Sequence, residues 1–155
     1  MAVDSISGLS AAEIIRLLDL HPHPEGGHFR ETFRDPVQDP RGRAVSTLIY
    51  FLLSTGEVSR WHKVDATEVW HYYGGAALEL KIFQRGSEVS VHRLGLDLLA
   101  RERTRFVVPA HWWQSAMSLG PWTLLGCTVA PSFEFSGFEL APLHGSPGEP
   151  RETLL

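Results

Sequence analysis

The chain has 155 residues, enough for one domain around a single core. Its 43% hydrophobic and 21% charged residues are ordinary for a soluble globular protein, and a net charge of −4 excludes an electrostatic grip on nucleic acid, which needs a clustered basic face. No apolar run approaches the ~18 residues that span a bilayer, and the opening MAVDSISGLSAAE lacks the basic and apolar regions of a signal peptide, so a cytoplasmic chain with no membrane or nucleic-acid partner is expected.

The first element is a helix. In LSAAEIIRLLDL, Ser10 and Glu13 form a capping box, and Leu9, Ile14, Leu17 and Leu18 make an apolar stripe at helical spacing. HPHPEGG then stops it with prolines and glycines, and Gly26 and Gly27 permit a sharp bend with positive φ. Beyond this point short β-branched and aromatic runs alternate with turn signals: GHFRETFR, AVSTLIYFLL, SRWHKV, EVWHYY, ALELKIFQ, SEVSVHRLG, RFVVP, WWQSAMS, WTLLGCTVA and FEFSGFEL. Many short strands at close spacing predict a sandwich or barrel. AVSTLIYFLL is apolar almost throughout, as in a strand buried on both faces or one whose outer face meets a partner. The expected organisation is a single domain over residues 1–155, with a core at about 21–142 and a loose tail at about 143–155, rich in Pro, Gly and charge.

Two features carry little. RERTR, at residues 101–105, is a basic run interrupted by an acid and reads as a solvated edge or loop. The single cysteine, Cys127, lies in the apolar run TLLGCTVA and reads as a buried, inert thiol.

Chemistry concentrates in WHKVDATEVWHYYGG, residues 61–75. Successive strand residues point to opposite faces, so His62 and Val64 share one face, and Glu68, Trp70 and Tyr72 share another on the next strand. With those faces inward, His62 and Glu68 look at one another across a barrel mouth, Trp70 and Tyr72 lie deeper, and His71 and Tyr73 face outwards. Two polar groups converging in an aromatic-lined cavity are the usual anatomy of a small-molecule site.

The spacing resembles the cupin superfamily. Its first motif, Gly-x5-His-x-His-x3–4-Glu-x6-Gly, reads here as G-EVSRW-H-K-V-DAT-E-VWHYYG-G, from Gly56 through His62 and Glu68 to Gly75, with Val64 in place of the second histidine. In the second motif Pro109 is kept, but Arg103 replaces the first glycine, His111 the turn glycine, Gln114 the histidine and Ser118 the asparagine. HPEGGHFRETFRD, STLIYFLL, HKVDATEVWHYYGG, VVPAHWWQSA and GCTVAPSFEFSGFEL together resemble the cupin-five family, a branch with no agreed reaction. The resemblance implies an all-β fold, a double-stranded β-helix or jelly-roll barrel, here with a short N-terminal helix. It also implies a homodimer, expected to bury part of AVSTLIYFLL or the N-terminal segment.

A cupin metal site offers three imidazoles and a carboxylate. This sequence keeps His62 and Glu68, Gln114 supplies only a weak neutral oxygen, and His111 is the one candidate to complete the set. No cofactor is therefore expected, and a divalent metal held by His62, Glu68, Gln114 and His111 is the alternative. A structural His62–Glu68 pair is the plain reading beside a ligand-contacting one. Trp70, Tyr72 and Phe51 are core residues first and ligand contacts second. Arg30, Tyr50, Trp70, Tyr72, His111 and Gln114 are the candidate ligand-binding residues. Arg30 and Glu31 either line the rim or pair with each other, and Thr47 and Tyr50 have hydroxyls whose facing is open. His21 and His23 flank a proline, a weak ligand signal.

Three functions fit. The first is a metal-independent isomerase or epimerase acting on a polar or ring-containing metabolite, with His62 as base and Glu68 as acid or tautomer-setter. The others are a metal-dependent, oxygenase-like enzyme and a non-catalytic binding module. There is no Gly-x-Ser-x-Gly elbow and no phosphate-binding glycine loop.

Overall fold

A computed structural model describes residues 6–142. The expected loose tail lies outside the described residues. Helix α1 (Ala11–Leu18) begins with the capping box read from the sequence: Glu13 N–H donates to Ser10 Oγ at 3.2 Å, and Ser10 N–H donates to Glu13 Oε2 at 2.7 Å. Asp19, left-handed at φ 53°, ends it.

Eleven strands follow: β1 (His21–Pro22), β2 (His28–Arg34), β3 (Thr47–Ser54), β4 (Val58–Val64), β5 (Thr67–Gly75), β6 (Leu78–Phe83), β7 (Ser90–Leu94), β8 (Arg105–Val108), β9 (Trp113–Ser118), β10 (Trp122–Ala130) and β11 (Phe138–Leu140). They form two sheets, ordered β1-β2-β3-β10-β5-β8 and β11-β4-β9-β6-β7, in which paired strands run antiparallel. This is the expected all-β jelly roll with a short helix. FEFSGFEL departs from its expected strand: Phe135–Gly137 is a 3-10 turn, and only Phe138–Leu140 pairs, against β4. No helix among the described residues is long and apolar enough to cross a membrane.

Residues alternate across each strand, so the facing sides of the two sheets meet in one core of Phe51, Leu53, Trp70, Leu80, Ile82 and Leu125. On the outer side of β3 and β10, α1 lays Ile14 against Leu52, Trp122 and Leu124, with Tyr50 beside them. That covering explains the near-continuous apolar run of β3: one side faces the barrel and much of the other faces the helix. Each fully buried leucine contributes ~1.5–3 kcal/mol of transfer free energy relative to exposure. At the opposite end of the barrel the core is thinner, with Val64, Ala66 and Val129 packed by Phe133 and Phe138.

Two local distortions shape that end. The pairing of β4 with β9 shifts register between Ser59 and His62, a bulge that breaks strict alternation. Ser59 and His62, three positions apart, consequently both reach the same buried side chain, Glu25. The segment before β2 is pressed into the barrel wall at Gly26, where φ is +110° and an added Cβ would sit 2.2 Å from the Val58 carbonyl oxygen. Arg43 clamps the rim, donating to both Asp65 oxygens at 3.0 and 2.7 Å and to the Ser132 carbonyl. Asp65 is thereby taken into the scaffold.

Candidate functional site

A cavity of about 220 Å³ opens at this end. Its apolar lining comes from Phe29, Ile49, Val64, Val129, Phe133 and Phe135, and its polar lining includes His23, Glu25, Thr47, His62 and Glu68. Glu31, Arg34 and Glu134 complete the rim. His62 and Glu68 enter from opposing sheets, β4 and β5, as their spacing predicts.

His62 is 2% exposed and held at both ring nitrogens. Nδ1 lies 2.6 Å from the Arg60 carbonyl oxygen, which only accepts, so Nδ1 carries the proton. Nε2 lies 3.0 Å from Glu25 Oε2. Burial raises the Glu25 carboxyl to about 8, against a weaker opposing effect of the Ser59 hydroxyl, which donates to Oε1 at 3.0 Å. Burial also lowers His62, against the opposing influences of Glu68 and the Arg60 carbonyl. Both directions describe one state at neutral pH: a protonated Glu25 donating to a bare Nε2 of a neutral imidazole.

Glu68 is likewise raised to about 7 by burial, opposed by His62 and helped by Glu25. It is the terminus of a relay: Trp70 Nε1–H donates to Gln114 Oε1 at 2.8 Å, and Gln114 Nε2 donates to Glu68 Oε2 at 2.8 Å. His23 is neutral too, pushed to about 4 by burial and then by His62. Its Nδ1 accepts from the Glu25 backbone N–H at 3.1 Å, so Nε2 carries its proton. Edge-on contacts with Phe29, Phe51 and Phe138 at 4.5, 6.0 and 6.0 Å fix its ring.

The expected residues are distributed as follows. His62, Glu68 and Thr47 line the cavity, Thr47 Oγ1 accepting from Phe133 N–H at 2.9 Å. Trp70 and Gln114 stand behind Glu68 as its support. Arg30 does not line the cavity: it is exposed on β2 and donates to the Leu18 carbonyl. Glu31 reaches the rim, where it pairs with Arg34. Tyr50 packs on α1, outside the barrel. Tyr72 packs on the core and donates to the Gly75 carbonyl, away from the cavity. His111 occupies the turn after β8 at φ 68° with its backbone N–H bonded to Val64 and its side chain exposed, and it is absent from the lining. His71 faces outwards onto Thr128 Oγ1 at 3.1 Å.

Glu25, His23 and Ser59 were not among the expected site residues, His23 carrying only a weak ligand signal. The signal available for the first two was HPEGG itself: an acid locked between proline and a double glycine marks a close backbone approach. Ser59 had none, because the bulge that turns it inward has no local signature.

A two-sheet antiparallel barrel with a polar group from each sheet at one mouth defines a cupin-type jelly roll. The family model described as cupin superfamily, DUF985, matches residues 12–141, and the chain belongs to that family. An X-ray structure of a protein from Shewanella oneidensis is 36% identical, with a TM-score of 0.83, and covers 86% of this chain and 85% of its own. A hypothetical protein from Leishmania major is 26% identical, with a TM-score of 0.78 over 84% and 86% of the two chains. Oxalate decarboxylase from Bacillus subtilis, 15% identical, shares the fold at a TM-score of 0.59 over 79% of this chain and 30% of its own. No curated protein matches the sequence. These comparisons describe a cupin-fold protein whose reaction is not established.

The decarboxylase has Mn(II) centres, which raises the question of whether this donor set fits a metal. It does not. Val64 has no donor atom, His62 Nε2 is engaged by Glu25, and the Gln114 oxygen is engaged by Trp70. Among the described residues no group of three or more His, Cys, Asp or Glu side chains is placed to hold a metal ion. Protein purified without a histidine tag or chelator is expected to carry well under one transition metal per chain by elemental mass spectrometry. Stoichiometric metal would show that the Glu25–His62 contact opens to admit it.

The buried carboxyls also set a pH dependence. Between the ordinary carboxylate value of 4.5 and about 8, folded Glu25 holds a proton that the unfolded chain releases, so stability falls as pH rises through that window. Glu68 acts in the same sense up to about 7. His23 acts oppositely, its stabilisation being lost as pH falls from 6.5 towards 4, and His62 has the same sign. Above pH 6.5 only the carboxyls operate. Denaturant unfolding is expected to show a loss of about 1–2 kcal/mol between pH 6.5 and 8. Glu25→Gln, which mimics the protonated acid, is expected to remove most of that slope.

Proposed function

We propose that the cavity binds a small metabolite and moves a proton on it, in an isomerase- or epimerase-like reaction without a metal. The observation that carries this is the 3.0 Å contact of His62 Nε2 with Glu25 in the wall of an apolar cavity, with Glu68 facing from the other sheet. Glu68, raised to about 7, is poised as the general base that takes a proton from the ligand. Glu25, raised to about 8 and backed by His62, is the acid that supplies one. Gln114 and Trp70 orient Glu68, and the Arg60 carbonyl fixes the imidazole tautomer. His62 thus holds Glu25 in place, a different role from the base expected from sequence.

A second reading, a binding module without catalysis, is favoured by the contacts these groups already make with one another, Glu25 with His62 and Ser59 and Glu68 with Gln114. One experiment separates the two. The protein is incubated in D2O with a soluble metabolite extract, and deuterium uptake is read by mass spectrometry. Uptake into a specific metabolite, lost in Glu68→Gln, supports proton transfer. Retention of a metabolite through gel filtration without any uptake would leave only the binding reading.

A further inference from the structure

The ionisable groups around the cavity are unequally matched. Four carboxyl groups line it, Glu25, Glu31, Glu68 and Glu134, against one guanidinium, Arg34. Arg34 is already committed: Nε and Nη2 donate to Glu31 at 3.3 and 2.8 Å, Nη1 to Glu134 at 2.9 Å, and Nη2 also to the Phe133 carbonyl at 3.1 Å. The two lining histidines carry no positive charge in their buried, neutral state. An anion entering the cavity would lose its water and meet buried carboxyl groups, with no free cation among the described lining residues to offset the cost.

Acceptors also outnumber donors. Each carboxyl oxygen has two lone pairs, and among the described residues Glu25 accepts from Ser59 while donating to His62 Nε2, and Glu68 accepts from Gln114 and the weak thiol donor of Cys127. The apolar wall points the same way, because the faces of aromatic rings such as Phe29, Phe133 and Phe135 attract cations. Size narrows the class. The cavity of about 220 Å³ exceeds the ~150 Å³ void that takes benzene and falls short of the ~300 Å³ at which pockets for drug-sized ligands begin.

We infer, on the reading that this cavity is the binding site, that its ligand is a compact ring-bearing organic cation, an amine or amidine, whose N–H groups donate to Glu25 and Glu68 while its ring lies on the phenylalanine wall. Such a cation draws both carboxyls into their ionised form, the Glu68 proton leaving to solvent and the Glu25 proton passing across the 3.0 Å contact to His62 Nε2, where the pair still holds it as the acid. A positive nitrogen beside the reacting carbon would also make its C–H more acidic, in keeping with proton transfer by Glu68.

Benzylamine, benzyl alcohol and benzoate are near-isosteric probes of positive, zero and negative charge. They are titrated calorimetrically at pH 8 into the full chain and into Glu25→Gln and Glu68→Gln, with far-UV circular dichroism confirming that each variant is folded. Benzylamine is expected to bind at least tenfold more tightly than benzyl alcohol, benzoate not to bind, and either substitution to weaken benzylamine at least tenfold while leaving benzyl alcohol unchanged. Benzoate or benzyl alcohol binding as tightly as benzylamine, and weakened by these substitutions, would overturn the cation preference while keeping the cavity as the site. If no probe responds to either substitution, both the preference and the site are overturned.

Discussion

Gly26→Ala is expected to destabilise the protein by about 3 kcal/mol and to remove ligand binding with it. The residue sits at φ +110°, where a side chain costs ~1–2 kcal/mol, and its Cβ would meet the Val58 carbonyl oxygen at 2.2 Å. The obstacle is backbone at the start of β4, where Val58 is paired to Met117 of β9, so neither partner gives way cheaply, and the overpacking adds ~1–3 kcal/mol. The reduced freedom of the unfolded chain returns only ~0.4–1 kcal/mol. Gly56 provides the control: its φ is +79°, but nothing lies within 4 Å of a Cβ there, so Gly56→Ala is expected to cost only the conformational part. Denaturant midpoints of the two variants measure the difference. Equal losses would show that the 23–27 segment is not pressed against β4, and the position of Glu25 would lose its explanation.

His62→Asn is expected to lower turnover or ligand affinity at least ~100-fold while leaving the barrel folded, the size of effect seen when an acid–base group loses its partner. Among the described residues His62 hydrogen-bonds the Arg60 carbonyl and Glu25, and the β4 backbone that points it inward is paired to β9 and β11 and survives the substitution. The stability change is limited to about one to three kcal/mol, because Glu25 stays protonated at neutral pH and keeps the Ser59 hydroxyl. Deuterium uptake, or the shift of the thermal midpoint by a retained metabolite, reads the effect. Unchanged uptake or binding would place the site elsewhere.

The parts of this account that were legible in the sequence are those governed by local periodicity. The capping box, the strand alternation that brings His62 and Glu68 inward, and the outward facing of His71 all follow from neighbouring residues. The helix lying over β3 explains why STLIYFLL reads as buried on both sides, although nothing in the run itself tells a helix from a partner copy. The remaining site residues depend on contacts between distant segments. Glu25 becomes a site residue only because Gly26 meets Val58, and Ser59 only because β4 bulges against β9. Phe133 and Phe135 looked like strand residues by alternation, yet the chain turns there and sets both against the cavity, Phe135 remaining exposed at its opening. Arg30 looked like a rim residue or the partner of Glu31, whereas the guanidinium at the rim belongs to Arg34 and is paired with Glu31 and Glu134.

The cavity is built around a neutral acid–base pair, with Glu25 protonated and His62 bare at Nε2. Long-range proton–nitrogen NMR on protein labelled with 15N-histidine at pH 7 reads that state directly. The structure predicts a neutral His62 imidazole with its proton on Nδ1 and an unprotonated Nε2. An imidazolium, or a proton on Nε2 instead, would contradict it and would make Glu25 a carboxylate with no proton to give.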